Sequence, residues 1–508
     1  MPDPQRTAVI DLGSNSFRLV VFSAGPAFWR RSDEIFEQVR IGEHVGKDGR
    51  LGRKQMDRAL DTIDVFAHFC RATKIAPERI RAVATSAIRD ATNRDKFVEA
   101  AEERSGLRIE VLSREEEARY GYLAAVNSTT LRDGVVLDLG GGSMQLVRTR
   151  DRTADKLASW PLGAVRMTER FLEGDAPAQP EALEALREHV RTELRDGASW
   201  LPKAGDRIVG IGGTVRNLGA ATQAAAELPS MGVQGFAIQA DALDALVERL
   251  AALPPAERRK VRGIKPARAD VILAGAVVVQ TVLREGGFDA LEVTEAGLRE
   301  GVFFSEHNAE HDPPLFPDIR RESVLNLAAQ YQVDPAHTAH VGALALGIFD
   351  ALADSGVFPG DPVERQLLWA ACMLHDIGMR VDYDDHHKHS RYLILNAGLP
   401  GYSPIEVAMI AQAARYHRKG MPDLDTFRKL SGPGDDRRLD RLAVLLRLGE
   451  DLERSRDQSV TAARVSADDE TVRLTLEADE GIDVARWAAE REVELFGRAF
   501  ERKLKIEV

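Results

Sequence analysis

The segment Val135-Val136-Leu137-Asp138-Leu139-Gly140-Gly141-Gly142-Ser143-Met144-Gln145-Leu146-Val147 constrains this chain more than any other. An apolar run ends in a carboxylate, turns through three glycines and returns as a second apolar run, the pattern of a β-hairpin whose tip is bare backbone. Without side chains at Gly140, Gly141 and Gly142, the N–H groups of the tip can approach an oxyanion closely. Asp138 can hold a divalent cation beside the same phosphate. An earlier copy exists in Ala8-Val9-Ile10-Asp11-Leu12-Gly13-Ser14-Asn15-Ser16-Phe17-Arg18-Leu19-Val20-Val21, with strand, Asp, Gly, small polar residues and returning strand in the same order. Two such half-sites are expected to face each other across a cleft.

A chain of 508 residues exceeds one hydrophobic core, and three or four domains are expected. Hydrophobic residues make up 44% and charged residues 29%, and no apolar run is read as long enough to span a bilayer. The opening residues Met1 to Arg6 lead straight into a strand without the apolar stretch of a signal peptide, which points to a cytoplasmic location without membrane attachment. Cys70 and Cys372 lie in apolar helical patterns and read as reduced core residues. A net charge of −12 argues against broad nucleic-acid binding. A polyanionic ligand would need a local basic lining, for which Arg18, Arg40, Arg166, Arg216 and Arg268 are candidates.

Along the chain, residues 29 to 50 read as further strand and turn, and a helix is expected from about Arg53 to Thr73, with Met56, Leu60, Ile63, Ala67 and Cys70 on one face. Strand Ile80 to Ala84 runs into Thr85-Ser86-Ala87-Ile88-Arg89, a strand end entering a helix, where open α/β sheets place ligand groups. Ser113 with Glu116 three residues on predicts a capping box for the next helix. Arg207 to Arg216 gives a third strand, glycine turn and helix start, with Gly212, Gly213 and Thr214 at the turn. Helices near 239 to 252 and 269 to 285, the strand Ala290 to Val293 and a helix from Ala296 complete an α/β unit. The proline-rich run His307 to Pro317 reads as a linker. From Arg320 to about Arg454 the pattern is helical. Within it His375 and Asp376 are adjacent and His337 stands 38 residues earlier (375 − 337), the spacing of a helical metal site. His386, His387 and His389 read as an anion-binding or simply exposed run. Two strands between Ala462 and Leu476, a helix from Val484 and a strand from Lys503 to Val508 close the chain.

Taken together, Asp11 to Ser16, Ala84 to Arg89, Glu115 to Arg119, Asp138 to Ser143 and Gly212 to Arg216 resemble, in order, the motifs of the exopolyphosphatase / guanosine pentaphosphate phosphohydrolase family. The resemblance implies two actin/Hsp70-like (ribonuclease H-like) α/β domains around a cleft, at 1–130 and 131–306. An all-α HD-like domain at 318–455 and a small α+β domain at 456–508 would follow. Carried over residue by residue, it makes Asp11 and Asp138 the Mg²⁺ and phosphate carboxylates. Gly13, Ser14, Asn15, Ser16, Gly140, Gly141, Gly142, Ser143, Gly212, Gly213 and Thr214 surround phosphate, Arg89 clamps it, and Glu117 activates the attacking water.

One departure is Gln145, where the family usually has an acidic residue. A glutamine can orient a metal-bound water but adds no charge to the site. In the helical domain His337, His375, Asp376 and Glu450 match an HD-type second metal site, with Glu450 where Asp is usual. The expected activity is hydrolysis of terminal phosphate from inorganic polyphosphate by a homodimer. Alternatives are hydrolysis of guanosine pentaphosphate, and a non-catalytic protein that binds polyphosphate or guanosine polyphosphates.

Overall fold

The computed structural model describes residues 4–43, 49–172, 174–478 and 482–507. The expected strand-and-turn segment from 29 to 50 falls partly outside these, at 44–48, as does Val508 of the closing strand. The chain divides into two compact units, Met1–Ile319 and Arg320–Val508.

The first unit has two lobes, each built on one sheet. In the first, β1 (Gln5–Leu12), β2 (Phe17–Ala24), β3 (Trp29–Glu37), β4 (Ile80–Ala84) and β5 (Ile109–Val111) lie in the order β3-β2-β1-β4-β5. In the second, β6 (Gly134–Leu139), β7 (Met144–Arg150), β8 (Thr153–Trp160), β9 (Ile208–Ile211), β10 (Ala237–Gln239) and β11 (Ala290–Val293) lie in the order β10-β11-β9-β6-β7-β8. The duplication extends to register. β1 and β2 pair antiparallel with Asp11 opposite Arg18, and β6 and β7 pair antiparallel with Asp138 opposite Gln145. β1 also pairs parallel with β4, and β6 with β9, so both aspartates sit at carboxyl ends of central strands, where such sheets bind ligands. The apolar alternates of these strands bury into separate cores, one around Ile10, Phe17, Phe66 and Ile88, the other around Leu137, Leu146, Val215 and Val278.

Two features differ from the sequence reading. The helix Leu298–His307 follows the last strands of the second lobe yet packs on the first. Phe303 stacks on Phe22 at 4.3 Å between ring centroids, and Val302 and Phe304 join Val9 and Val20 in one core. Apolar residues on that helix find the open face of the first sheet, so the boundary at 306 does not hold. The run His307 to Pro317 is no free linker either. The Asn127 side chain donates to Pro314 O at 3.0 Å and accepts from Phe316 N at 2.8 Å, and Phe316 is buried.

In the second unit, helices Pro335–Asp354, Pro362–Leu374, His386–Ala397, Pro404–Tyr416 and Asp435–Leu452 surround one core. Pro335–Asp354 passes the length and composition test for a membrane-crossing helix, as the core helix of a globular unit can. In the fold, Val341, Leu344, Ile348, Phe349 and Leu352 make it the core helix of this unit. A small α+β terminal domain follows, with β12 (Val460–Ala467), β13 (Thr471–Ala478) and β14 (Lys503–Glu507) and the helices Asp483–Ala489 and Val493–Phe500. It joins the helical part in the same compact unit through buried ion pairs such as Arg447 to Glu492 at 3.0 Å. Cys70 and Cys372 are free and buried in their respective cores.

Candidate active site

The two hairpin tips and the starts of three helices enclose a cavity of about 130 Å³. Asp11, Gly13, Ser14, Asn15 and Ser16 line it from the first lobe, and Asp138, Gly140, Gly141 and Ser143 from the second. The lobes touch at this point: a Cβ on Gly142 of the second would lie 2.5 Å from Ser86 Oγ of the first, which is 2.9 Å from Ser14 Oγ in its own lobe. Gly212 and Gly213 line the cavity at the start of the helix Gly213–Ala225. Gly212 has φ +104°, and a Cβ there would meet Leu139 O at 2.5 Å, so only glycine closes this turn.

Glu117 is placed by the helix Arg114–Val126, whose capping box forms as expected: Glu116 N donates to Ser113 Oγ at 3.1 Å and Ser113 N to Glu116 Oε2 at 2.8 Å. With Glu116 committed to the cap, Glu117 one residue on turns into the cavity. Its two oxygens are held separately. Arg89 Nη1 donates to Oε2 at 2.6 Å, and Ser143 Oγ donates to Oε1 at 3.2 Å. Gln145 Nε2 donates in turn to Ser143 Oγ at 3.0 Å.

Three carboxylates thus share one desolvated space. Burial, then Glu117 and Asp11, push the Asp138 carboxyl up to about 7. Burial also raises Asp11, against the lowering pull of Arg299 and Arg18. Opposite them stand Arg18, Arg216, Arg268 and Arg299. Burial and then the neighbouring Arg299 lower Arg216 to about 10, and burial and then Arg18 lower Arg268 to about 10. Arginine keeps its proton even so. The direction records burial first and neighbouring cations second. Arg299 is buried too, and its Nε and Nη1 have no hydrogen-bond partner, with Glu34 Oε1 at 4.0 Å from Nη1.

Several expected residues stand elsewhere. Arg89 does not line the cavity; it holds Glu117, and its Nη1 also reaches Leu112 O at 3.1 Å. Gln145 lies behind Ser143 rather than at the cavity wall, and Thr214 is buried beneath the turn with Oγ1 unpartnered. Gly142 lines a neighbouring pocket with Gly42 and Arg166. Arg40 pairs with Asp270 at 3.1 Å and Arg166 with Asp90 at 3.3 Å, so neither joins the lining. Arg299 escaped the sequence reading. Its signal was weak, a glycine turn before a helix in Gly297-Leu298-Arg299, and it came from a helix expected to belong to the other lobe.

In the second unit His337, His375, Asp376 and Glu450 come together, and His386 and His417 join them. His386 and His387 are buried, not an exposed run.

Compared with known proteins, the chain matches the model of the Ppx/GppA phosphatase family over residues 32–310 and that of the same family's domain III over 319–493. Among solved structures, a Ppx/GppA family member from Aquifex aeolicus is 31% identical over 60% of this chain and 99% of its own, with a TM-score of 0.52. An exopolyphosphatase-like protein is 28% identical over 60% of this chain and 100% of its own, with a TM-score of 0.54. An exopolyphosphatase from Cytophaga hutchinsonii, 22% identical over 60% of this chain and 98% of its own, shares the fold with a TM-score of 0.55.

Proposed function

This chain belongs to the Ppx/GppA phosphatase family, and from that premise we propose that it is a cytoplasmic exopolyphosphatase, removing the terminal phosphate of inorganic polyphosphate with water as acceptor. The observation that carries the reading is the pairing, in one cavity, of carboxylates from both hairpins with Arg18, Arg216, Arg268 and Arg299, whose Nε and Nη1 make no hydrogen bond. A cation cluster that crowds its own charges is relieved by a polyanion, and bare glycine loops admit its oxygens. Two free, buried cysteines accord with a reducing compartment.

Phosphoanhydride hydrolysis passes through a loose transition state, so positioning and charge stabilisation outweigh base strength. Glu117 suits that task. Pinned on both oxygens by Arg89 and Ser143, it presents a fixed acceptor that orients water for attack on the terminal phosphorus. The water adds its oxygen to phosphorus and gives up a proton to Glu117, the bridging P–O bond breaks, and the shortened chain leaves with its electron pair toward the arginines. Asp11 and Asp138 are oxygen donors of the kind Mg²⁺ takes, and burial, with Glu117 beside them, raises both carboxyls in spite of the neighbouring arginines. With Asp11 and Asp138 as its carboxylates, a bound Mg²⁺ would be completed by phosphate oxygens and water, its usual habit. Bound there, the ion would neutralise charge on the transferred phosphoryl group.

Guanosine pentaphosphate ends in the same phosphoanhydride, and a protein that merely grips polyphosphate would use the same arginines. Orthophosphate release from polyphosphate, guanosine pentaphosphate and ATP separates these. Release from polyphosphate should dominate and fall by about 10²–10⁴-fold in Glu117→Gln. Preferential release from guanosine pentaphosphate would reassign the substrate. Tight polyphosphate binding with no release from any of the three would leave a sensor.

A further inference from the structure

The segment Arg259-Lys260-Val261-Arg262-Gly263-Ile264-Lys265-Pro266-Ala267-Arg268 carries a cation at every third position: Arg259, Arg262, Lys265 and Arg268. Arg268 lines the cleft cavity, and the other three lie outside it. In a chain of net charge −12, the run from Arg258 to Arg268 holds no carboxylate. The backbone gives the period its meaning. Val261 N donates to Arg258 O at 3.1 Å, Ile264 N to Val261 O at 3.0 Å and Arg268 N to Lys265 O at 2.9 Å, so the segment winds in successive i→i+3 turns. At three residues per turn, side chains three apart lie over one another. Val261 and Ile264 therefore sink together into the core of the second lobe, and Arg259, Arg262 and Lys265 stand exposed.

The segment follows the helix Gly213–Ala225 away from the cavity. Arg268 packs on Gly213, where an added Cβ would overlap its guanidinium group. Lys265 N donates to Asn217 Oδ1 at 2.7 Å. Gly263, with φ +90°, lies against the backbone of Ala220 and Ala221 and leaves no room for a Cβ. These contacts climb the helix one turn at a time, which puts Lys265 roughly 6 Å and Gly263 roughly 11 Å beyond Gly213. The inner end is held by the first lobe as well. Gln38 Nε2 donates to Ala267 O at 3.2 Å, and Arg40 pairs with Asp270 at 3.1 Å.

Neighbouring groups decide which of these cations are available. Lys260 pairs with Glu257 at 2.6 Å, and Arg258 is buried with its Nε donating to Leu250 O at 3.0 Å. Asp270 is taken by Arg40. Among the described residues Arg259, Arg262 and Lys265 have no ion pair and no side-chain hydrogen bond. We infer that these three continue from Arg268 as a ladder for the stretch of a polyphosphate chain outside the cavity, making the protein selective for long chains. The inference rests on the reading of the cleft as a polyphosphate hydrolase. A linear polyphosphate repeats its charge at every unit, so each rung meets an anion, and guanidinium groups pair well with phosphate oxygens. A nucleoside would bring a base to the same place. No aromatic ring stands between Ala256 and Asp270 to stack on it.

The test compares the full-length protein with Arg262→Ala/Lys265→Ala and with Lys96→Ala/Arg108→Ala, which removes two exposed cations from the first lobe instead. In phosphate release from long-chain polyphosphate, the ladder variant should show a KM about tenfold higher with kcat within about twofold of wild type. Tripolyphosphate ends near the cavity mouth, and its KM should rise by less than about twofold. For the long chain, log KM should depend less steeply on log salt in the ladder variant, because fewer counterions are displaced. Arg262→Lys, which keeps the charge, should keep most of the wild-type KM. An unchanged KM for the long chain, an equal rise for both substrates, or the same rise in Lys96→Ala/Arg108→Ala overturns the ladder. Fluorescence anisotropy with end-labelled long-chain polyphosphate separates it from the cleft reading. If wild type binds the chain about tenfold more tightly than the ladder variant yet releases no phosphate, the ladder stands and the hydrolase reading fails. If wild type releases phosphate and both proteins bind the chain equally, the ladder alone fails. Wild type that neither binds nor cleaves the chain defeats both.

Discussion

Asp138 carries a cost that its position explains. Desolvation, Glu117 and Asp11 lift its carboxyl from 3.8 to about 7 in the folded protein, whereas the unfolded chain releases that proton near the ordinary value. Between those values the folded state still holds a proton that the unfolded state has lost. Stability from this residue therefore declines as pH rises across the window and stays at its low level above it. In chelator-treated protein, Asp138→Asn should raise stability at pH 8 by about 1–2 kcal/mol, discounted for partial exposure, and the gain should shrink toward pH 4. Phosphate release should fall in the same variant. Calorimetric melting at pH 5 and pH 8 checks this; an equal gain at both, or a loss at pH 8, defeats it. Gln145 is the counterpart case. Opposite Asp138 in the register, as Arg18 is opposite Asp11, it spends its amide on Ser143 and so steadies Glu117 rather than adding charge.

The helices Arg114–Val126 and Leu298–His307 bring Glu117 and Arg299 to the same cavity, and Gly301 packs against the backbone of Tyr120. A Cβ at Gly301 would overlap Tyr120 O, which is backbone and cannot rotate away. Gly301→Ala should therefore separate the two helices, costing about 1–3 kcal/mol as overpacking does and shifting Arg299 relative to Glu117. A urea midpoint unchanged from wild type, with full phosphate release, would show that the helices give way at no cost. This pair also marks where the sequence stops being readable. Both hairpins, the capping box at Ser113 and the strand Ile80–Ala84 are legible because the residues that make them are neighbours in the chain. Arg299, His386 and His417 owe their roles to helices that meet only in the folded protein. Helical periodicity tells which face is apolar but not which sheet will cover it, so Leu298–His307 was expected on the wrong lobe.

The division at Ile319 separates two chemistries, phosphate-facing carboxylates and arginines before it and the histidine cluster after it. The 31%-identical relative from Aquifex aeolicus is matched over 99% of its own length by only 60% of this chain, about the share that the first unit makes up. Every residue that lines the cleft cavity lies within Met1–Ile319. The strap from Pro314 to Phe316, pinned by Asn127, closes the core of that unit and must stay with it. A fragment of residues 1–319 should accordingly fold cooperatively and release phosphate from short polyphosphates at a kcat within about tenfold of the full chain. A fragment ending at His307 should be destabilised, since it leaves Asn127 buried without its partners and opens the apolar site that Phe316 fills. Circular dichroism melting and a phosphate-release assay on the two fragments decide the matter. If the longer fragment folds but has lost more than about a hundredfold in kcat, the second unit supplies part of the cleft chemistry, and the assignment of catalysis to the first unit alone fails.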